Sequence, residues 1–226
     1  MISSLHWQTV DASLQQALQL FMKCDLFSPF RLVGGTALSL QLGHRQSVDI
    51  DLFTDAPYQS IDFEAIQQFL RKHFTYVDYL ANTPIGMGKS YFVGTSPQQA
   101  IKLDIYYTEP YIQAPLVLDG VRLATLEEIV AMKMEVVRIG GRKKDFWDIH
   151  ELIDRYSLND MLQLHQQRYP YAHNPDSLKL QLLNFTVADD DFEPHCLKGK
   201  HWSLIKVDIK EWVNKIIAQE KQIIRP

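Results

Sequence analysis

The stretch Phe30-Arg31-Leu32-Val33-Gly34-Gly35-Thr36-Ala37-Leu38, running on to Val48-Asp49-Ile50-Asp51-Leu52-Phe53, decides how this chain is read. Leu32 and Val33 ahead of Gly34 predict a short buried strand. Two consecutive glycines permit a tight turn whose backbone N–H groups come close to a ligand. Thr36 is placed to cap a helix over residues 37–41, and Gly43 falls where that helix would end. A strand, a Gly-Gly turn and a helix N-terminus make an anion site, because free N–H groups and the helix dipole point outward there. The second half of the stretch carries the opposite charge. Strand alternation puts Val48, Ile50 and Leu52 on one face and Asp49 and Asp51 on the other. Carboxylates held side by side repel one another unless a cation lies between them. Hard oxygen donors suit Mg²⁺, which commonly takes one or two carboxylates plus substrate phosphates. A phosphate cradle followed by such a pair points to phosphoryl or nucleotidyl transfer.

The run Gly34-Gly35-Thr36-Ala37-Leu38, then Leu42-Gly43-His44-Arg45, Ser47 and Asp49-Ile50-Asp51-Leu52-Phe53, resembles the AbiEii/AbiGii toxin family. That family lies within the DNA polymerase β-like nucleotidyltransferase superfamily, whose signature is a Gly-Gly or Gly-Ser turn followed by an Asp-x-Asp strand. Turn, helix, spacing and paired acids arrive together, which makes the match specific. The resemblance implies a third carboxylate on a neighbouring strand. In Ala100-Ile101-Lys102-Leu103-Asp104-Ile105-Tyr106, alternation sets Lys102, Asp104 and Tyr106 on one face, and Asp104 takes the expected place. A surface acid merely paired with Lys102 is the competing account of Asp104.

The resemblance also implies a helix bearing a lysine, an arginine downstream and an Arg-Asp-x-x-Asp run opening the next helix. Lys133, Arg138, Arg142 and Lys144-Asp145-Phe146-Trp147-Asp148 fill those places, with Lys144 where arginine is usual. Lysine keeps the charge there but loses the planar fork of a guanidinium. The implied roles follow. Gly34, Gly35 and Thr36 would hold phosphates, and Asp49, Asp51 and Asp104 would bind metal. Asp104 would activate the attacking hydroxyl, and Lys133 would contact the triphosphate and stabilise the leaving pyrophosphate. Asp148, at i+3 from Asp145, is the preferred partner of Lys133; Asp145 is the alternative.

The expected fold class is α+β: a nucleotidyltransferase-type mixed β-sheet core flanked by helices over residues 1–124, then a mainly helical region over 125–226. The resemblance covers about residues 30–152. It implies a Mg²⁺-dependent (or Mn²⁺-dependent) enzyme moving a nucleoside monophosphate from a nucleoside triphosphate to an acceptor. It further implies the toxin of a toxin–antitoxin or phage-defence pair, with a cognate antitoxin and the tRNA 3′ end as a known acceptor class. Two alternatives stay open: transfer to a small molecule or protein, and an idle nucleotide-binding module.

Composition narrows the classes. A chain of 226 residues with formal charge −4 can bury a good core but is not broadly basic, so any nucleic-acid contact would be local. Arg138, Arg142, Lys143 and Lys144 are the cluster that could meet RNA phosphates, or could be a solvated helix end. Cys24 and Cys196 have no metal-ligand spacing and read as buried free thiols. No apolar run approaches a membrane span and the N-terminus lacks a signal-peptide pattern, so a cytoplasmic protein is expected. An amphipathic helix is expected over Trp7–Cys24. Pro84-Ile85-Gly86-Met87-Gly88-Lys89-Ser90 echoes a P-loop ending but lacks its first glycine, so it reads as a hairpin loop. The acidic run 188–194 lacks a calcium-loop pattern and reads as a solvated loop.

Overall fold

The computed structural model describes residues 4–79 and 86–223, with the side chains of residues 221 and 223 excepted. The chain forms two compact units, residues 1–125 and 126–226.

The first unit is built on a seven-stranded mixed sheet. Its strands are β1 (Arg31–Leu32), β2 (Asp49–Thr54), β3 (Tyr76–Asp78), β4 (Gly88–Gly94), β5 (Ala100–Tyr107), β6 (Leu116–Leu118) and β7 (Val121–Leu123), in the spatial order β3-β4-β5-β2-β1-β7-β6. The central pair β2 and β5 is parallel, whereas β4 with β5 and β1 with β2 are antiparallel. Among the described residues, three α-helices belong to this unit: α1 (Ala12–Met22), α2 (Gly34–Leu42) and α3 (Phe63–His73). Ile50, Leu52, Leu103 and Ile105 are fully buried on one sheet face, alongside Leu18, Phe21, Ile66 and Leu70 from α1 and α3. The alternation of β2 and β5 therefore assigns one face to the core and turns Asp49, Asp51, Lys102 and Asp104 to the other. At the β6–β7 hairpin, Asp119 and Gly120 both take positive φ (51° and 77°), the backbone that an Asp-Gly two-residue turn requires.

Several expectations change on contact with the structure. The segment 7–24 is not one helix: a short 3₁₀ turn covers Trp7–Thr9, and α1 starts only after Asp11, whose carboxylate accepts the Leu14 N–H at 2.7 Å. Helix α2 begins at Gly34 rather than after Thr36. Its N-cap is Val33, in extended conformation and with no side-chain cap, so Thr36 lies inside the first turn. Cys24 and Cys196 are half-buried rather than buried. The P-loop-like stretch falls partly on residues 80–85, outside the described residues; from Gly88 it is strand β4, paired with β5.

The second unit is helical: α4 (Leu126–Arg138), α5 (Lys143–Leu152), α6 (Leu158–Arg168), α7 (Pro175–Leu182), α8 (Thr186–Asp189) and α9 (Trp202–Ile223). Its core holds Ile129, Met134, Phe146, Trp147, Met161, Leu178, Ile205 and Ile209. Trp147 and Trp202 stack with ring planes 10° apart. The acidic run is not simply solvated. Asp189 accepts from the Trp202 indole and Lys206, both at 2.7 Å, and Asp191 accepts from the Arg142 guanidinium and the Lys143 N–H. Among the described residues, no helix is long and apolar enough to cross a membrane.

Candidate active site

The sheet unit brings the Gly-Gly turn and the acids together. The Val33 N–H donates to the Asp51 carbonyl at 2.9 Å, which fixes the start of α2 against β2. Gly34 has φ +68°, and a Cβ there would lie 2.4 Å from Asp51 Oδ2. Only glycine combines that backbone with so close a carboxylate. The free N–H groups of the first helical turn thus open beside Asp51. A Cβ on Gly35 would meet the Arg45 guanidinium at 2.3 Å. Arg45 is buried, and its Nη1 donates to the Gln46 carbonyl at 3.0 Å. The sequence motif contains Arg45, but nothing in its spacing shows that it backs this turn. Thr36 is buried too. Its hydroxyl meets Ser47 Oγ at 2.8 Å and donates to the Asp49 carbonyl, tying α2 to the start of β2. Its side chain therefore positions the acidic strand, leaving the backbone of this turn for a phosphate.

Register places the acids. Asp51 lies directly opposite Asp104 in the parallel β2–β5 pair, and Asp49 lies opposite Lys102. Neighbouring strands run about 4.8 Å apart, so three carboxylates and one ammonium share a small patch of one sheet face. Lys102 Nζ donates to Asp104 Oδ2 at 2.5 Å, while Asp104 Oδ1 is buried with no hydrogen-bond partner among the described residues. Burial alone would push the Lys102 ammonium down. The Asp104 hydrogen bond and the charges of Asp104, Asp51 and Asp49 outweigh it and hold the pKa above the ordinary lysine value. The patch is a cation-attracting one by that measure. Among the described residues, no three acidic, His or Cys groups converge closely enough to hold a metal by themselves. Carboxylate oxygens with an unpartnered Asp104 oxygen still fit Mg²⁺ or Mn²⁺, which complete their shells with water and phosphate.

The helical unit carries the remaining residues singled out in the sequence. Lys133, on α4, is buried and donates to Asp145 Oδ1 at 2.7 Å and contacts Asp148 Oδ2 at 2.6 Å, both on α5. Both acids, not one, engage it. Asp145 also accepts the Arg142 N–H at 3.0 Å, so it closes the N-terminus of α5, while Asp148 is wholly buried. The basic cluster proposed for RNA is largely occupied within its own unit. Arg138 forms a two-pronged pair with Glu135 at 2.6 and 2.7 Å, Arg142 pairs with Asp191, and Lys143 is buried near the Trp202 ring.

The model of one family, described as nucleotidyl transferase AbiEii toxin, type IV toxin–antitoxin system, matches residues 16–211. This chain belongs to the AbiEii nucleotidyltransferase toxin family. An uncharacterised protein of Aquifex aeolicus is 27% identical over 164 residues, covering 69% of this chain and 73% of that one. A solved structure from Helicobacter pylori, described as a candidate nucleotidyltransferase, superposes with TM-score 0.59 at 18% identity, covering 96% of this chain and 99% of that chain. MenT4, a nucleotidyltransferase toxin of Mycobacterium tuberculosis, superposes with TM-score 0.53 at 16% identity over 93% and 85% of the two chains. At such identities these structures speak for the fold, which is the expected α+β nucleotidyltransferase fold with a helical C-terminal part. Family membership carries the activity: this AbiEii-family chain is a nucleotidyltransferase, acting on a nucleoside triphosphate, of a toxin class.

Proposed function

We propose that this AbiEii-family enzyme transfers a nucleoside monophosphate from a nucleoside triphosphate to the 3′ hydroxyl of an RNA, with tRNA as the acceptor class, in a Mg²⁺-dependent reaction. The observation that carries the reading is the contact of Gly34 with Asp51, which puts helix N–H donors for phosphate beside carboxylates for a cation. The Gly34, Gly35 and Thr36 amides bind and orient the triphosphate. Asp49, Asp51 and Asp104 would hold the divalent ion, which would neutralise phosphate charge. Asp104, with one oxygen unpartnered and opposite Asp51, accepts the proton of the attacking hydroxyl. The acceptor oxygen forms a bond to the α-phosphorus, the bond from that phosphorus to the bridging oxygen breaks, and pyrophosphate leaves. Lys133 is assigned to the triphosphate by the family resemblance, with Asp145 and Asp148 orienting its ammonium. A cytoplasmic setting and a cognate antitoxin complete the reading.

The test incubates purified protein with each labelled triphosphate, Mg²⁺ and total bacterial RNA, beside an Asp49→Ala/Asp51→Ala variant. Label entering tRNA-sized RNA with the wild type alone is the expected result and names the base. Label on protein instead overturns the RNA acceptor while keeping the chemistry; equal labelling by the variant overturns the site.

A further inference from the structure

Lys102 is a charged group of the acidic patch to which the transfer reaction above gives no role. It sits on the site face of β5, opposite Asp49 and two residues before Asp104. Its ammonium lies on Asp104 Oδ2 at 2.5 Å, and its side chain remains 41% exposed against 16% for Asp104. A single positive charge thus stands where Asp49, Asp51 and Asp104 jointly attract a cation, and it occupies an oxygen of the acid that must take up the acceptor's proton. Partial exposure lets solvent screen the pair and leaves the lysine stem room to swing away.

We propose that Lys102 is a built-in counter-cation of the active site, competing with the divalent ion for Asp104, and that its displacement is a step in assembling the loaded enzyme. The inference rests on the metal reading given under Proposed function. Two positive charges a few ångströms apart repel strongly even in a well-solvated site, so the lysine weakens divalent-ion binding. In return it keeps Asp104 paired when no ion is bound, and sets one positive charge among three like charges. The triphosphate contributes the negative charge that tips the exchange. Displaced Lys102 then has phosphate oxygens within reach of the same face.

The experiment is a direct Mn²⁺ titration of the full chain without nucleotide, reading free Mn²⁺ by electron paramagnetic resonance. The proteins are wild type, Lys102→Met, Lys102→Arg, Asp104→Asn, Lys102→Met/Asp104→Asn and Asp49→Ala/Asp51→Ala, each checked for an unchanged melting curve. The expected result is Mn²⁺ binding at least tenfold tighter in Lys102→Met and near wild type in Lys102→Arg. The gain should shrink well below tenfold when Lys102→Met is made in the Asp104→Asn background. Equal or weaker binding in Lys102→Met, with binding still abolished in Asp49→Ala/Asp51→Ala, overturns the competition and leaves the metal reading standing. Undiminished binding in Asp49→Ala/Asp51→Ala, or no binding to any protein, overturns the metal reading and this inference with it.

Discussion

Gly34 is the position where backbone and charge meet most tightly. An alanine there would have to hold a left-handed φ of +68° and push Asp51 Oδ2 away by about an ångström from a 2.4 Å approach. The backbone strain costs roughly 1–2 kcal/mol. Displacing a catalytic group by that distance costs about a hundredfold in rate. We expect Gly34→Ala to lose both, whereas Gly120→Ala, also at positive φ (+77°) but with nothing within 4 Å, loses stability alone. Melting curves and labelled-nucleotide transfer on the two variants separate strain from site damage; full activity in Gly34→Ala would dismiss the arrangement. Lys133 invites a comparable dissection. Its single ammonium is shared between two buried carboxylates, Asp145 and Asp148, so Lys133→Met removes their common counter-charge and should cost roughly 3–5 kcal/mol in denaturant titration. If the lysine serves the triphosphate as well, KM for nucleotide rises in the molecules still folded at low temperature. An unchanged KM would confine Lys133 to holding α4 against α5.

Single elements differ in how much they reveal before folding. The face of β2 that bears Asp49 and Asp51 was legible because half-buried strands alternate, and β5 declared Asp104 by the same rule. Their pairing was not: β2 and β5 are parallel, with about fifty residues between them, and no local pattern sets the register that aligns Asp51 with Asp104. Helix α2 was misjudged at its start because Thr36 through Leu42 are all buried, leaving no polar stripe to mark its phase, and because Gly-Gly reads as a turn. The latch of Asp191 on Arg142, 49 residues away, carries no sequence signal at all. A buried network linking α4 to α6 was also hidden in ordinary spacing. His165, fully buried, meets Glu135 at 2.9 Å and His173 at 3.0 Å. Burial first holds the His165 imidazole below its ordinary range; Glu135 opposes this, and the charges of His173 and Arg138 reinforce it. Burial lowers His173 as well. Both rings therefore take up protons less readily when folded than when unfolded. Their contribution to stability is full above a pH of about 6.5 and is lost as pH falls below it toward the depressed folded values. Glu135, lowered by Arg138 and His165 against its own desolvation, loses its share only at carboxylate pH, below that window. We expect stability to decline as pH falls below about 6.5, by up to ~1.4 kcal/mol per pH unit per histidine, and His165→Gln to flatten that limb. An unchanged slope in His165→Gln would place the acid sensitivity elsewhere.

At the scale of the whole molecule, the family places the chain among nucleotidyltransferase toxins, and the sheet unit supplies both ends of the required chemistry from residues 31–54 and 100–107. Such a site should be felt in the stability of the protein, because a ligand that binds only the folded chain stabilises it by mass action. Mg²⁺ alone faces Lys102 and should raise the melting temperature little. Mg²⁺ with a non-hydrolysable triphosphate brings four negative phosphate charges and the helix N–H groups into the balance. At a hundred times its dissociation constant, that pair should add about 2.7 kcal/mol. For a chain of this length, the increment corresponds to roughly 5–10 °C. The shift should vanish in Asp49→Ala/Asp51→Ala. In Lys102→Met, a shift should appear with the divalent ion alone, since the competing ammonium is gone. Calorimetry on the three proteins, with ion, triphosphate and both together, reads each term separately. A triphosphate shift that survives loss of Asp49 and Asp51 would mean that the nucleotide binds by the Gly-Gly turn without the acids, and that the acids are not where the metal is held.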